Sequence, residues 1–350
     1  MTTNDKDLSE AMQRNPRLVQ LFRGEPIESW HHGAVAVADG HGKLLMSLGD
    51  IDTRVFPRST AKLLQAIPSI ETGAVDRMGF GVDELAVSCA SHTGTRQHVE
   101  LVSAMLAKAG LSTADLACGP HPPGDVATQA ELAAAGERPT RLHNACSGKH
   151  AAMLATAVTM GEPVAHYEDR GHPVQQRVAA VLGEFLGSDF DAHLCGIDGC
   201  SVPTWSVPLG AFARGMARFV SGEGLSQQRA TACRRILQAC MTRPELVSGP
   251  DQFCSQVTTR TQGDVFMKMG VEGIYLAIIA SKAIAVAVKI DDGADRAAQA
   301  VMATIIGQLV LGDEDALANL YPRRQINWAG TEVGALLPTE ALRNAVAHIV

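Results

Sequence analysis

Aromatic residues are scarce in this chain: Phe, Trp and Tyr together make up 4% of 350 residues. With 46% apolar residues and 33 glycines, the core must be aliphatic, rich in Ala and Val, and the backbone must turn often. There is no excess of positive charge. The formal net charge is −7 and the pI is about 5.9, with no extended basic run, which argues against a nucleic-acid binder. Long hydrophobic runs are also missing. The longest, Gly273 to Lys289, is broken by Ser281 and Lys282 and reads as two strands rather than a membrane span. Met1 to Arg23 is polar and lacks the apolar centre of a signal peptide, so a cytoplasmic protein without a membrane partner is expected. No Gly-rich phosphate loop follows a strand, and no repeat, low-complexity tract or clear linker interrupts the chain. The eight cysteines include no C-x-x-C pair. Without an export signal they read as thiols or metal ligands rather than disulfides.

What is present is enough chain for one large domain or two modest ones. Residues 32–48 alternate around Asp39-Gly40-His41-Gly42 and predict a hairpin, Ala34–Val37 against Leu44–Ser47. Helices are expected near residues 59–67, 97–110, 128–136, 148–160, 173–186, 209–222, 226–242 and 294–311. Residues 112–145 are otherwise loop-rich, and 194–206 read as a turn-rich loop. Cys233 and Cys240 fall in one amphipathic helix and read as core fillers. Ile274–Ile279 and Ala283–Ile290 are β-branched and read as antiparallel strands joined by Ala280-Ser281-Lys282. Strands thus cluster at both ends and helices in the middle. The expected fold class is α/β (α+β): an antiparallel sheet built from both chain ends, helices on its faces, and a helical insertion. The sheet part should span about 25–55 and 260–335, and the helical part about 56–259.

The chemistry begins at Phe56-Pro57-Arg58-Ser59-Thr60-Ala61-Lys62. Ser59 and Lys62 are three apart at an expected helix start, so they share one face. A neutral lysine can take the proton of a serine and make it a nucleophile. Taken alone, Ser59 reads equally as a helix cap. Two further elements follow in order: Ser91-His92-Thr93-Gly94, and Lys268-Met269-Gly270 before the strand pair. Singly these read as a turn serine and a surface lysine. In order, the three are similar to the S-x-x-K, S-x-N and K-T-G elements of penicillin-recognising serine enzymes.

Two Gly-punctuated segments carry cysteines: Asn144-Ala145-Cys146-Ser147-Gly148-Lys149-His150, and Gly196-Ile197-Asp198-Gly199-Cys200. Two thiolates from separate loops could hold a borderline metal such as zinc. By type, His150 is the obvious third ligand, and Lys149 is less usual because it must lose its proton. The plain alternative is a pair of partly buried thiols.

Together these motifs resemble the rhizobial-type L-asparaginases, the class 3 or asparaginase II family, over about residues 25–335. The resemblance implies hydrolysis of L-asparagine to L-aspartate and ammonia, a serine β-lactamase-like fold, and a homodimer. It implies Ser59 as nucleophile with Lys62, Ser91 and Lys268 as a second Ser-Lys pair, and zinc on Cys146, Lys149 and Cys200. It puts Asp198, Arg58 and His150 near the substrate. Competing readings are a glutaminase or other serine amidase of similar fold, a non-catalytic amino-acid sensor, and a zinc hydrolase using Cys146 and Cys200.

Overall fold

The computed structural model describes residues 15–187 and 192–349. The chain divides into two compact units. One holds the described residues up to Val55, Val207–Ser221, and the residues from Arg260 on; the other holds Phe56–Ser206 and Gly222–Thr259.

The first unit is built on an antiparallel sheet of eight strands. They are β1 (Arg17–Arg23), β2 (Ile27–Ala38), β3 (Leu44–Leu48), β4 (Val265–Gly270), β5 (Ile274–Ile279), β6 (Ile284–Ile290), β7 (Arg324–Ile326) and β8 (Glu332–Pro338). Their order is β7-β8-β1-β2-β6-β5-β4, with β3 also on β2. Strand β2 pairs with β1 through Ile27–His32, and with β6 through Gly33–Ala38. Both chain ends therefore meet in one sheet, as the clustering of strands predicts. The helices Asp295–Ile306 and Leu209–Ser221 pack on β5 and β6. That cover explains why β5 is buried along its whole length, and why Ala34–Ala38 of β2 do not alternate in and out.

Three differences from the sequence reading stand out. Strand β1 lies where the sequence reads as a polar N-terminal stretch, because only Leu18, Val19 and Leu21 turn inward. Strands β7 and β8 are short or half-exposed and too weakly patterned to stand out. The helix Leu209–Ser221 lies inside the expected helical part of the chain yet belongs to the sheet unit, burying Leu209, Phe212, Met216 and Phe219 against it.

The second unit is helical. Its main helices are Lys62–Glu71, Val82–Ser88, Arg96–Lys108, Ser147–Met160, Pro173–Leu186 and Gln227–Thr242. The helix Lys62–Glu71 packs on Ser147–Met160, Pro173–Leu186 and Gln227–Thr242, burying Leu63, Leu64, Ala66 and Ile67. Cys233 and Cys240 are buried, as core fillers should be. The stretch expected as loop at 194–206 contains a short hairpin, Cys195–Ile197 against Pro203–Trp205, which lifts Asp198 and Cys200 onto its turn. Among the described residues no helix is long and apolar enough to cross a membrane.

Candidate active site

Nine of the ten predicted site residues lie in the helical unit. Arg58–Ala61 form a 3-10 turn that runs into the helix starting at Lys62. Thr60 pins the turn by donating from Oγ1 to the Pro57 carbonyl at 2.6 Å. Arg58 holds a left-handed φ of 51°, a conformation that costs a non-glycine residue about 1 kcal/mol or more. Ser59 is half-buried on this turn, and its carbonyl accepts the Lys62 N–H.

Lys62 is 1% exposed. Its Nζ donates to the Ala90 carbonyl, to Ser91 Oγ at 3.0 Å and to Cys146 Sγ at 3.2 Å. The three-residue spacing predicts a Lys62–Ser59 contact; among the described residues the Lys62 side-chain bonds go to Ala90, Ser91 and Cys146 instead. A side chain near the start of a helix reaches outward as readily as along it, and the 91–94 loop lies within that reach.

That loop is tightly held. Ser91 N–H donates to Val247 O at 2.9 Å, and His92 N–H to Ala145 O at 3.2 Å. Gly94 takes a φ of 74° and donates its N–H to His92 Nδ1 at 3.1 Å. His92 Nε2 therefore carries the ring proton and donates to Ser147 Oγ at 2.9 Å, which in turn donates to Leu142 O. His92 so ties the Ser91 loop to the residue after Cys146. His92 stands inside the Ser91–Gly94 motif, whose spacing does not mark it as a brace.

Cys146 precedes the helix Ser147–Met160, and its N–H donates to Asn144 Oδ1 at 2.9 Å. Gly148 is required here: a Cβ would stand 2.3 Å from the Val87 carbonyl, so only glycine lets this helix approach Val82–Ser88. Lys149, 3% exposed, donates to Cys200 Sγ at 3.0 Å. The neighbouring Cys146 favours the Cys200 thiolate, with burial opposing and Lys149 assisting. The Cys146 thiol is correspondingly pushed up. Burial opposes the charge on Lys149, but Cys200 and Cys146 outweigh it and raise its pKa. Cys118, outside the predicted set, stands in the same cluster, pushed up to about 12 by burial and then by Cys146 and Cys200.

Two sulfurs and one amine thus converge from two separate segments. The donor set suits a borderline-soft cation. The charge beside Cys200 is here the Lys149 ammonium, and a divalent cation among the same atoms would replace it and take the neutral amine as ligand. The residues fit a metal. His150, the alternative third ligand by type, turns instead to Tyr167, its Nδ1 bonded to the phenol oxygen. Burial and then Lys149 push the His150 pKa down to about 3.

Asp198 sits on the hairpin turn, where its Oδ1 takes the Gly199 N–H and both Nε and Nη2 of Arg58, each at 2.8 Å. Cys200 Sγ lies 3.7 Å from its Oδ2. Burial works against the Asp198 carboxylate, but Lys149 and Arg58 hold its pKa below the usual range. The tenth residue, Lys268, stands on β4 in the sheet unit and is 1% exposed, not a surface lysine.

The sequence model of the L-asparaginase II family matches residues 19–338, nearly the whole chain. The chain belongs to the L-asparaginase II family. Membership makes it an asparaginase-type amidohydrolase acting on a small molecule. No curated protein sequence matches this family member. Among solved structures it is similar to a putative β-lactamase from Bacteroides dorei DSM 17855, at 15% identity over 81% of this chain and 88% of that one, with a TM-score of 0.39. It is also similar to the octameric penicillin-binding protein homologue from Pyrococcus abyssi, at 10% identity over 93% and 83%, with a TM-score of 0.33. At such scores neither likeness bears on the chemistry of this chain.

Proposed function

We propose that this asparaginase II family member hydrolyses L-asparagine to L-aspartate and ammonia through an acyl-enzyme on Ser59. The observation that carries the reading is the buried Lys62 amine, within 3.0 Å of Ser91 Oγ and three residues from Ser59. A lysine sunk beside a serine and a thiol is poorly placed for a structural ion pair and well placed to move protons.

In this scheme Lys62, as the free amine, takes the Ser59 proton while Oγ bonds to the side-chain amide carbon of asparagine. The tetrahedral oxyanion is met by backbone N–H groups. The C–N bond then breaks, and the proton held by Lys62 passes through Ser91 Oγ to the departing nitrogen, which leaves as ammonia. Water next attacks the aspartyl ester, Lys62 takes its proton, and Ser59 leaves with that proton restored. Asp198 pairs with the substrate ammonium and Arg58 with its carboxylate, each exchanging its present partner for the substrate. Lys268 enters as the second partner of Ser91 on the strength of the resemblance alone.

Zinc would be held by Cys146, Lys149 and Cys200. When bound it would supply a fixed positive charge that orders both loops and orients the substrate. The serine is nucleophile enough without a metal hydroxide. All eight cysteines are free of disulfides, in keeping with a cytoplasmic setting, and the family resemblance adds a homodimer, checked by light scattering of the purified chain.

The deciding experiment is ammonia release from L-asparagine, with L-glutamine and a chromogenic β-lactam in parallel and Ser59→Ala as control. Release from asparagine alone, lost in Ser59→Ala, supports the reading. Release mainly from glutamine transfers it to a glutaminase. Binding of asparagine without release replaces it with a sensor.

A further inference from the structure

Tyr167 has no part in the scheme above, yet it makes a specific contact with His150, one of the predicted site residues. It lies between the helices Ser147–Met160 and Pro173–Leu186 and is 1% exposed; His150 is 0% exposed. The rings meet edge to face, with centroids 5.5 Å apart and an interplanar angle of 82°. The phenol oxygen accepts the Ala117 N–H at 2.9 Å. It also carries one proton of its own, and a buried O–H without an acceptor is costly. His150 Nδ1 is the acceptor in contact with it. A ring nitrogen that accepts carries no proton, so the imidazole proton lies on Nε2. That Nε2 is buried and has no hydrogen-bond partner among the described residues.

We propose that Tyr167 is a positioning residue that fixes His150 as the Nε2–H tautomer, and that this N–H is reserved for an acceptor oxygen of the substrate. Buried donors are almost always paired, and an orphan at a functional centre marks a place kept for a ligand atom. Asparagine offers oxygens at both its carboxylate and its side-chain amide. The opposite tautomer would turn a lone pair toward that oxygen and repel it. Tyr167 therefore acts through His150, by setting which sign of dipole the pocket presents. The identity of the acceptor oxygen rests on the asparaginase reading; the tautomer lock does not.

The test uses the full chain labelled with 15N-histidine, with His150→Gln to assign the His150 signals in long-range 1H–15N correlation. Wild type is expected to show a protonated Nε2 and a bare Nδ1, and L-aspartate should shift Nε2–H and leave Nδ1 in place. Tyr167→Phe keeps the ring and removes the lock. It should show mixed tautomers, a weaker response to L-aspartate, and kcat/KM for asparagine lower by about threefold to tenfold, the scale of one neutral hydrogen bond. A protonated Nδ1 in wild type would overturn the proposal, as would an unchanged tautomer in Tyr167→Phe. An Nε2–H signal indifferent to L-aspartate would overturn the substrate contact. If wild type shows the expected tautomer but releases no ammonia, the asparaginase reading fails and the Tyr167 lock stands.

Discussion

In the sheet unit, β5 buries six residues in a row, Ile274 to Ile279, five of them aliphatic. In the helical unit, the first turn of Ser147–Met160 buries Ser147, Gly148, Lys149 and His150 in a row. The first run is what a strand covered on both faces requires. The second is expensive, because each polar group leaves water and must find a partner. Ser147 finds His92 and Leu142, Lys149 finds Cys200, and His150 finds Tyr167 on one side only. Packing orders this part of the sheet unit, whereas the first turn of this helix relies on hydrogen-bond partners for the polar groups it buries.

The sharpest way to break this contrast is to remove one lysine amine from each unit, that of buried Lys62 and that of half-buried Lys289. Lys62→Met should lower ammonia release at least about a thousandfold with the far-UV spectrum unchanged. Lys289→Met on β6, where Nζ donates to the Ile290 carbonyl, should leave the rate within about twofold. A Lys62→Met rate within tenfold of wild type would remove the reason for calling the helical unit catalytic.

Ile278→Ala, in the middle of β5, should cost about 2–5 kcal/mol in denaturant unfolding, since it deletes fully buried aliphatic volume. Its KM for asparagine should stay near that of wild type. Zinc should act in the opposite place. At a hundredfold excess over its Kd it should add about 2.7 kcal/mol of stability, read as a rise in Tm, and Cys200→Ser should abolish that rise.

Acid should strike the helical unit through its histidines. Burial holds the pKa values of His98, His143 and His150 below the ordinary 6.5, that of His150 down to about 3. A folded pKa below the unfolded one means that the unfolded chain binds more protons. Stability from these groups is therefore complete above about pH 6.5 and lost as pH falls, by up to about 1.4 kcal/mol per pH unit for His150 until its own pKa is reached. Chemical unfolding at several pH values reads this directly, and His98→Gln should flatten part of the slope. The smallest effect belongs to Trp328→Ala. This fully exposed ring in the turn between β7 and β8 should change stability by less than about 0.5 kcal/mol.

Much of the fold was legible wherever the pattern was strong. Ile274–Ile279 and Ile284–Ile290 appear where their β-branched runs place them, and Pro173–Leu186 matches its apolar spacing to the residue. Weak patterns failed for physical reasons. Strand β8 is mostly half-exposed and carries no clean alternation, and Val82–Ser88 spans only two turns. The helix Leu209–Ser221 was legible as a helix, but not its allegiance, because an apolar stripe does not say which neighbour will cover it.

The candidate site divides along the same line. The motifs around Ser59, Ser91, Cys146 and Asp198 named the residue types that matter, since nucleophiles, thiols and charges are properties of side chains. Pairings were another matter. That Lys62 reaches Ser91, that Lys149 rather than His150 meets Cys200, and that Asp198 meets Arg58 depend on segments up to 140 residues apart meeting in space. His92 was in view without its role, and Tyr167 gave no signal at all. A hydrogen bond is decided over a few tenths of an ångström, and local spacing fixes positions that finely only within one or two helical turns. The sequence by itself therefore determined the chemistry available and the strongest elements. The tertiary structure decided which groups share a proton.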